Sequence, residues 1–462
     1  MSSPKSVNAE SASISIAVSS AFDLLDLHRL NPSRYPHLLQ SASIGPQGRY
    51  DVLFACPGKT LRSDDAGIDV FLDALEHWYE QEKISVCSDS INSGKIPFSG
   101  GWFLYLSYEL AAEIEPTLAL PDYNGKLPVA LATRFPAAVI HDRETNARFA
   151  VAENTACLQK IEKDIAVLPA ASVKTADNFP VDSIPVVSIT EEPDQDYTDA
   201  VRCIIDYIIE GDVFQVNLSR KWSASLTQEL DHHALYAKLR VANPGPFNGM
   251  ATWGESAIFS SSPERLVSMQ GDLVQTRPIA GTRPRGEQTQ EDVELSEELL
   301  AHPKEMAEHI MLVDLERNDM GRFAVPGTVE VDELMVLESY ATVHHIVSNI
   351  RATKRPEITP IDVIKAVFPG GTITGCPKVR CMEIIAELEK TGRGPYTGSM
   401  GYLDRCGNLD LNILIRTIVR DGSQLHFRAG AGIVADSDPQ RELDESRAKA
   451  NGMLATLGVA SK

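Results

Sequence analysis

Four glutamates with helical spacing are the first residues that indicate chemistry. They fall into two pairs, Glu305 with Glu308 and Glu442 with Glu445. Residues three apart on a helix share a face, so two opposed helices would gather four carboxylates. Such a cluster needs a hard cation, and Mg²⁺ prefers carboxylate oxygens. Each pair taken alone also fits an ordinary solvated helix face, and Glu445 could simply pair with Lys449 at i+4.

Two glycine-rich segments could present backbone N–H groups to an anion. One is 369–375, Pro-Gly-Gly-Thr-Ile-Thr-Gly, before a helix that begins near Pro377. The other is 429–432, Ala-Gly-Ala-Gly, after a strand at Gln424–Arg428. The alternative is that both are tight turns without a ligand, because glycine is common in turns.

Three further residues could bind or protonate a substrate. Arg416 lies in the strand-like run Leu411–Val419, Tyr396 precedes a glycine turn, and His345 lies in an apolar run. Imidazole is the usual general acid near neutral pH, although a single histidine in an apolar run is more often structural.

The elements that must position these residues can be read from periodicity. Helices are predicted at Val70–Gln81, at Thr198–Glu210 before Gly211, from Pro303 to about Glu316, and from an Asp438 cap to about Leu457. Strands are predicted at Tyr50–Ala55 and Phe214–Trp222. A Pro-, Asp- and Ser-rich stretch near 168–196 separates an N-terminal region, 1–170, from a second region, 190–462. The pattern predicts an α+β fold in which large sheets pack against each other with helices on the outside.

Composition excludes several classes of function. The chain has 462 residues, 43% of them apolar, and a formal net charge of −21. This acidic balance does not fit a nucleic-acid partner, and no apolar run reaches membrane-spanning length. The seven cysteines are scattered without paired CxxC motifs, which argues against a zinc framework, and their odd number is typical of reduced thiols. We see no apolar leader near the N-terminus, so we expect a cytoplasmic protein.

Read together, these segments resemble the chorismate-utilising enzymes. The matching stretches are Ser-Pro-Glu-Arg from 262, Pro-Ile-Ala-Gly-Thr-Arg-Pro-Arg-Gly from 278, Glu-His-Ile-Met-Leu-Val-Asp-Leu-Glu-Arg-Asn-Asp from 308, Gly-Pro-Tyr-Thr-Gly-Ser-Met-Gly-Tyr from 394 and Ala-Gly-Ala-Gly-Ile-Val-Ala-Asp-Ser from 429. The N-terminal region resembles the aminating members through Leu-Leu-Gln-Ser from 38 and Gly-Gly-Trp from 100.

The resemblance implies a role for each matching residue. Glu308 and Glu445 would hold Mg²⁺, with Glu305 and Glu442 in support, and the metal would bind the ring carboxylate of chorismate. Substrate carboxylates would be held by Tyr396, Arg416 and the N–H groups of Gly430 and Gly432. Lys449 would add positive charge, Thr372 would help to seat the substrate, and His345 would assist departure of the C4 hydroxyl.

Gln215 and Ala280 narrow the chemistry. Isochorismate and salicylate synthases carry a lysine at the place of Gln215, where it activates water, so the resemblance favours an ammonia user. No glutamine amidotransferase motif is present, which implies a separate amidotransferase subunit. The best-known aminodeoxychorismate synthases carry a nucleophilic lysine in place of Ala280, whereas anthranilate synthases have alanine there.

Other segments favour amination at C4, as in aminodeoxychorismate synthase component I of folate biosynthesis. Asn-Pro-Gly-Pro-Phe-Asn-Gly from 243, the run Leu409–Ile413 and Gln40 resemble that form. The alternative is anthranilate synthase component I, a lyase that aminates C2, releases pyruvate and serves tryptophan biosynthesis. A tryptophan-type site would then involve Ser41, Pro246 and Phe247. A third reading, an inactive regulatory subunit of the same fold, is disfavoured by the intact set of site residues.

Overall fold

The structure is a computed structural model that describes residues 13–18, 21–41, 48–84, 96–168, 184, 186–286, 288–301, 303–339 and 343–459. Its strands are β1 Ile14–Val18, β2 His37–Gln40, β3 Tyr50–Ala55, β4 Thr60–Arg62, β5 Gly101–Leu106, β6 Ala130–Phe135, β7 Ala137–Asp142, β8 Ala147–Ala152, β9 Val186–Glu191, β10 Gln215–Leu226, β11 Phe247–Trp253, β12 Ser256–Ser262, β13 Arg265–Gln270, β14 Leu273–Thr276, β15 Ile279–Pro284, β16 Glu330–Ser339, β17 Val343–Thr353, β18 Gly375–Cys376, β19 Ser399–Asp404, β20 Leu409–Asn412, β21 Thr417–Asp421 and β22 Gln424–Ile433.

The helices are α1 Leu24–Leu30, α2 Phe71–Glu82, α3 Ala111–Ile114, α4 Thr155–Val167, α5 Asp194–Glu210, α6 His232–Ala242, α7 Thr289–Ala301, α8 Pro303–Gly321, α9 Pro360–Val367, α10 Lys378–Glu389 and α11 Pro439–Thr456. Short 3₁₀ turns lie at Tyr108–Leu110 and Gly371–Ile373.

Two large antiparallel sheets form the centre of the fold. In the first sheet the order is β1-β8-β7-β3-β2-β11-β12-β21-β22-β10-β18, with β9 also paired to β10. In the second it is β15-β17-β14-β13-β20-β19-β5-β6-β4, with β16 also paired to β17. Strands from the predicted regions 1–170 and 190–462 therefore share both sheets, and they join at β2–β11 and at β5–β19.

The alternation of side chains explains why the sheets pack face to face. In β3, Val52 and Phe54 point into a core shared with Phe103 and Tyr105 of β5, which belongs to the other sheet. The intervening Leu53 instead faces the helix-covered side of the first sheet. Residues two apart on a strand share a face, so each sheet buries one face against its partner and the other under helices. The predicted α+β class, with face-to-face sheets and outer helices, is confirmed.

Local signals in the sequence set several boundaries. Asp438 caps α11 by accepting hydrogen bonds from the backbone N–H groups of Gln440 and Arg441. Gly211 ends α5 in the left-handed region at φ +89°. β3 matches its predicted range, α5 begins four residues before the predicted start, and α8 runs on to Gly321.

Two global properties can be stated for the described ranges. Within them, the helices lack the length and apolar character needed to cross a bilayer. Five cysteines are free thiols, at positions 56, 157, 203, 376 and 381, whereas Cys406 is disulfide-bonded. The expectation of reduced thiols is therefore wrong at Cys406.

Candidate active site

The candidate site forms where β10 and β22 of the first sheet meet α8, α11 and the connections around Thr372, Tyr396 and Arg416. Gln215 is the first residue of β10, and Asn217 pairs with Gly432 of β22. The amide of Gln215 donates a hydrogen bond to Glu308 Oε1 of α8 over 2.9 Å. The side-chain oxygen of Gln215 is buried and has no hydrogen-bond partner among the described residues. A buried acceptor of this kind is a place for a ligand donor or a water molecule.

Gly430 and Gly432 lie inside strand β22, and not in a turn after it. The prediction that the strand at 424–428 ends in a glycine turn is therefore wrong: β22 continues to Ile433 and stays paired with β10. The reason for glycine is close approach. A Cβ on Gly430 would lie 1.9 Å from the carbonyl oxygen of Leu218, and one on Gly432 would lie 2.2 Å from Gln215 Nε2. Any side chain at these positions would push into the neighbouring strand or into the site.

Lys449 of α11 approaches the same strand. Its ammonium group donates to the carbonyl oxygen of Gly430 over 3.1 Å and lies 2.7 Å from a carboxylate oxygen of Glu445. The Lys449 side chain is 44% exposed, yet protein surrounds it closely enough that burial acts on its charge. Burial alone would lower the pKa of Lys449, but the Glu445 carboxylate outweighs it and raises the pKa.

Arg416 lies between two sheets and not within a strand. The predicted strand-like run Leu411–Val419 is divided: β20 ends at Asn412 in the second sheet, and β21 begins at Thr417 in the first. Arg416 adopts φ +50°, in the left-handed region that side chains other than glycine rarely occupy. This conformation is held because the Arg416 carbonyl accepts a hydrogen bond from the Ser261 N–H over 3.1 Å. Strained backbone of this kind concentrates at functional sites.

The charge of Arg416 acts on side chains from three segments. It acts on His345 of β17, on Lys449 of α11 and on Glu264 in the turn after β12. Tyr396 lies close enough to Lys449 that each affects the pKa of the other. The structure thus brings together residues that are up to 185 positions apart in the sequence.

His345 is buried and uncharged at neutral pH. Burial, reinforced by the Arg416 charge, lowers its pKa to about 4. It lies opposite the strand that carries Ala280, which is buried, and it interacts with the backbone of Gly281. A Cβ on Gly281 would lie 3.0 Å from a carboxylate oxygen of Glu305. His345 can hydrogen-bond a leaving group as a neutral imidazole, but it does not store an acidic proton at pH 7.

Glu264 is a site residue that the sequence analysis missed. Burial raises its pKa to about 8, and the neighbouring Glu316 carboxyl adds to the rise. Thr372 lies beside it. Glu264 is therefore protonated at pH 7, within reach of the Arg416 charge. A signal was available, because Glu264 falls inside the Ser-Pro-Glu-Arg motif and directly follows the wholly buried strand β12.

Each of the four predicted glutamates contacts a different partner in the structure. Glu308 binds Gln215, Glu445 binds Lys449, Glu305 lies 3.3 Å from Arg283, and Glu442 accepts a hydrogen bond from the Ser437 hydroxyl over 2.6 Å. Among the residues that the structure describes, no three His, Cys, Asp or Glu side chains are close enough to hold a metal. Like charges repel, so each carboxylate takes the nearest positive or donor group.

The chemistry of the donor set nevertheless fits Mg²⁺. Glu308 Oε1 lies 3.4 Å from the position of a Cβ on Gly432, and Glu445 reaches Gly430 through Lys449. Carboxylates from α8 and α11 thus lie near the same three-residue stretch of β22, Glu445 through Lys449. Both are at least partly exposed and carry oxygen donors of the kind Mg²⁺ selects.

The residues predicted for a tryptophan-type site lie elsewhere. Gln40 pairs with Asn248, which brings Ser41 and Phe247 to the same end of β2 and β11. Ser41 is buried and its N–H donates to Asp51 over 3.0 Å, and the guanidinium of Arg265 lies 4.8 Å from the centre of the Phe247 ring. Pro246 is buried beside them. Residues 42–47, which follow Ser41, lie outside the described residues.

A separate surface cleft of about 920 Å³ contains none of the predicted site residues. It is lined by the end of α1, the start of α6, Lys126 and the β21–β22 turn, and its basic residues include Arg29 and Arg420. Its positive groups are offset by Glu229, Asp231 and Glu255 on the same walls. We therefore place the chemistry at the β10–β22 site.

Comparison with known proteins identifies the class to which this fold and site belong. The family model for chorismate binding enzymes matches residues 42–455. The chain belongs to this family of enzymes that act on chorismate. It is 44% identical over 382 residues to an anthranilate synthase component I-like protein of Synechocystis, covering 80% of this chain and 76% of that protein.

Two further relatives match most of the chain. The chain is 37% identical to aminodeoxychorismate synthase component 1 of Bacillus subtilis, and the match covers 95% of both chains. The crystal structure of anthranilate synthase component I from Streptococcus pneumoniae superposes with a TM-score of 0.76 at 30% identity, covering 89% of this chain and 93% of that one. The family is thereby established, and both aminating activities occur among its relatives.

Proposed function

We propose that this chain aminates chorismate at C4, with ammonia, to give 4-amino-4-deoxychorismate and water. Mg²⁺ is the proposed cofactor, and a separate glutamine amidotransferase subunit is the proposed source of ammonia. The observation that carries the choice of C4 is the segment 243–249, Asn-Pro-Gly-Pro-Phe-Asn-Gly, which resembles the aminodeoxychorismate form, and the match along 95% of both chains with aminodeoxychorismate synthase component 1 of Bacillus subtilis agrees with it.

Substrate binding follows from charge. Chorismate carries two carboxylates, and a protein of net charge −21 must offset its own field to bind a dianion. Arg416 and Lys449 supply fixed positive charge at the site, and Arg416 can form two parallel hydrogen bonds with a carboxylate. The buried hydroxyl of Tyr396 can complete the binding of one carboxylate.

Departure of the C4 hydroxyl as water requires a proton. Glu264 holds one at neutral pH, because burial raises its pKa to about 8. His345, with its pKa lowered to about 4 by burial, acts in this proposal as a neutral hydrogen-bonding group that orients the hydroxyl. Gln215 cannot act as a base that activates water, so the proposed source of the new substituent is ammonia.

Glu308 and Glu445 are the residues that would hold Mg²⁺, with Glu305 and Glu442 in support. Bound there, the cation would neutralise a substrate carboxylate and the carboxylate cluster together. We expect Glu308→Gln and Glu445→Gln each to lower turnover by about 10²- to 10³-fold, with an unchanged far-UV spectrum and melting temperature. Full activity after treatment with EDTA would contradict the metal proposal.

Anthranilate synthesis is the rival function, and a specific observation favours it. Ala280 has no nucleophile, so chorismate cannot be trapped covalently there, and the first attack at C2 must come from water, another side chain or ammonia. Ammonia at C2 is also the first step toward anthranilate. The 44% identity with the Synechocystis anthranilate synthase component I-like protein points the same way.

Product analysis decides between the two functions. The chain is incubated with chorismate, ammonium and Mg²⁺ at alkaline pH, and half of the sample then receives aminodeoxychorismate lyase. We expect 4-aminobenzoate only in the half with lyase. Anthranilate and pyruvate without lyase would overturn the proposal and support the rival. The same assay with glutamine replacing ammonium tests the partner: the isolated chain should give no product until a cognate amidotransferase is added.

A further inference from the structure

Arg393 is a buried arginine whose hydrogen bonds reach three separate segments of the candidate site. Its side chain is 1% exposed. Nη2 donates to the carbonyl oxygen of Asn217 over 2.6 Å, and Nη1 donates to the carbonyl oxygen of Ile373 over 3.2 Å and to the Thr397 hydroxyl over 3.3 Å. The Thr397 hydroxyl in turn donates to the carbonyl oxygen of Tyr396 over 2.6 Å, so Arg393 is linked to Tyr396 through two hydrogen bonds.

Each of these contacts is one or two residues from a side chain of the site. Asn217 follows Gln215 by two positions on β10, Ile373 follows Thr372 in the 3₁₀ turn, and Thr397 follows Tyr396. The guanidinium group also lies 5.5 Å from the centre of the Tyr396 ring. None of the three acceptors belongs to the same secondary-structure element as another, so the sequence alone gives no reason for them to keep a common geometry.

We propose that Arg393 is a positioning residue, whose guanidinium group holds the segments of Gln215, Thr372 and Tyr396 in one fixed arrangement for chorismate. This inference rests on the chain acting on chorismate. A planar group with five donors in fixed directions suits the task, since each hydrogen bond restricts one segment relative to the other two. Turnover is sensitive to such geometry, because displacements of about 1 Å can cost about 10²-fold.

The surroundings of Arg393 hold it in place from two sides. Glu389 accepts from Nε and Nη2 over 3.0 and 2.7 Å, which is a two-point carboxylate contact. The N-terminal region contributes as well: the Tyr108 ring lies 4.9 Å from the guanidinium carbon, and Glu109 accepts from the backbone N–H of Arg393 over 2.7 Å. The 3₁₀ turn Tyr108–Leu110 of the N-terminal region thus contacts the site through Arg393.

The same cluster offers a matched control in Arg428. Its side chain is 3% exposed, and it also binds Glu389, over 2.9 Å. Its remaining contacts go to Ser219, which pairs with Gly430 across β10 and β22, and to Thr391; neither residue adjoins Gln215, Thr372 or Tyr396. Arg393→Lys and Arg428→Lys therefore each remove a buried guanidinium contact to Glu389, made through two nitrogens by Arg393 and through one by Arg428, but only the first releases the three site segments.

The experiment compares both variants in chorismate consumption with ammonium and Mg²⁺, measured by chromatography at temperatures where each is fully folded. We expect Arg393→Lys to raise KM for chorismate and lower kcat, with kcat/KM reduced by about 10²-fold. Arg428→Lys should lower the melting temperature by a similar amount while KM stays within about 3-fold of wild type. Equal kinetic effects of the two variants would overturn the inference, whereas a wild-type chain that consumes no chorismate would instead contradict the proposed function.

A second variant keeps the test decisive if Arg393→Lys does not fold. Thr397→Val preserves shape and leaves the ion pair with Glu389 intact, but it removes the hydroxyl that links Arg393 Nη1 to the Tyr396 carbonyl. We expect KM for chorismate to rise about 10-fold with an unchanged melting temperature. An unchanged KM in Thr397→Val would overturn the inference.

Discussion

Two buried glutamates, Glu389 and Glu264, occupy opposite electrostatic environments. At Glu389, burial opposes ionisation, but the guanidinium groups of Arg393 and Arg428 outweigh it and hold the pKa below its ordinary value of 4.5. Ser219 adds two hydrogen bonds, from its N–H and its hydroxyl. At Glu264, burial dominates and Glu316 adds repulsion, so the pKa rises to about 8. The first glutamate is a satisfied anion, and the second is a neutral acid.

The opposite pKa shifts of Glu389 and Glu264 distinguish a carboxyl group that stabilises the fold from one that can transfer a proton. A fully paired anion contributes to stability and has no proton to transfer near neutral pH. A neutral acid beside Arg416 contributes little to folding stability, but it holds a proton that the proposed reaction needs. The same substitution, Glu to Gln, should therefore have opposite consequences at the two positions.

The largest effect is expected for Glu264→Gln. Glutamine keeps the shape and neutrality of the protonated acid but cannot deliver its proton, so turnover should fall by about 10²- to 10⁴-fold. The melting temperature at pH 7 should change little. Initial rates of chorismate consumption, with circular dichroism as the folding control, measure both. Normal turnover by this variant would remove Glu264 from the mechanism.

The pH dependence of turnover by the wild type also tests whether the Glu264 proton is used. The folded-state pKa of Glu264 is raised, so its proton is present below about pH 8 and is lost as pH rises through that value. At a fixed concentration of free ammonia, turnover should decline above about pH 8. Glu316→Gln removes the repulsive neighbour and should shift this decline to lower pH.

Glu389→Gln should act on stability instead. It leaves two buried guanidinium groups without their carboxylate, which costs about 3–5 kcal/mol in the free energy of unfolding. Urea titration measures the loss, and Glu387→Gln, an exposed position on the same helix α10, is the control with an expected change below about 0.5 kcal/mol. Because the pKa of Glu389 is depressed, its contribution is present above pH 4.5 and is lost as pH falls through the lower folded value. A stability loss no greater than that of the control would end the contrast with Glu264.

Local elements of this chain could be predicted from the sequence, whereas the geometry of the site depends on pairings between distant segments. β3 and the capped helix α11 follow from apolar alternation and from the Asp438–Pro439 signal, because neighbours in the sequence determine both. The left-handed backbone of Arg416 could not be predicted, since it arises where the chain passes from one sheet to the other. The role of glycine at 430 and 432 depends on the approach of β10, which is more than 200 residues away.

The candidate site shows the same limit. Motif resemblance identified residues from segments scattered along the chain, and the structure places several of them around Arg416, Lys449 and Gln215. Glu264 and Arg393 were missed although both lie within or beside quoted motifs. A residue type does not reveal whether a carboxyl is protonated, nor which carbonyl groups an arginine reaches, because burial and partners decide both.

The smallest expected effect concerns Gly432, which lies beside the hydrogen bond from Gln215 to Glu308. A Cβ at this position would lie 2.2 Å from Gln215 Nε2, the flexible end of a side chain, and 3.4 Å from Glu308 Oε1. Gly432→Ala should therefore displace the Gln215 amide from Glu308 and lower kcat/KM by about 10-fold, at a stability cost below about 1 kcal/mol. Gly430→Ala is the contrasting variant, because its Cβ would lie 1.9 Å from the Leu218 carbonyl oxygen, and rigid backbone cannot turn aside. It should cost about 1–3 kcal/mol of stability.

A double-mutant cycle of Gly432→Ala with Gln215→Ala tests whether Gly432 acts through the Gln215 amide. If both changes act through that amide, the second lowers kcat/KM little beyond the first. Strictly additive losses in kcat/KM would show that Gly432 serves the substrate by another route.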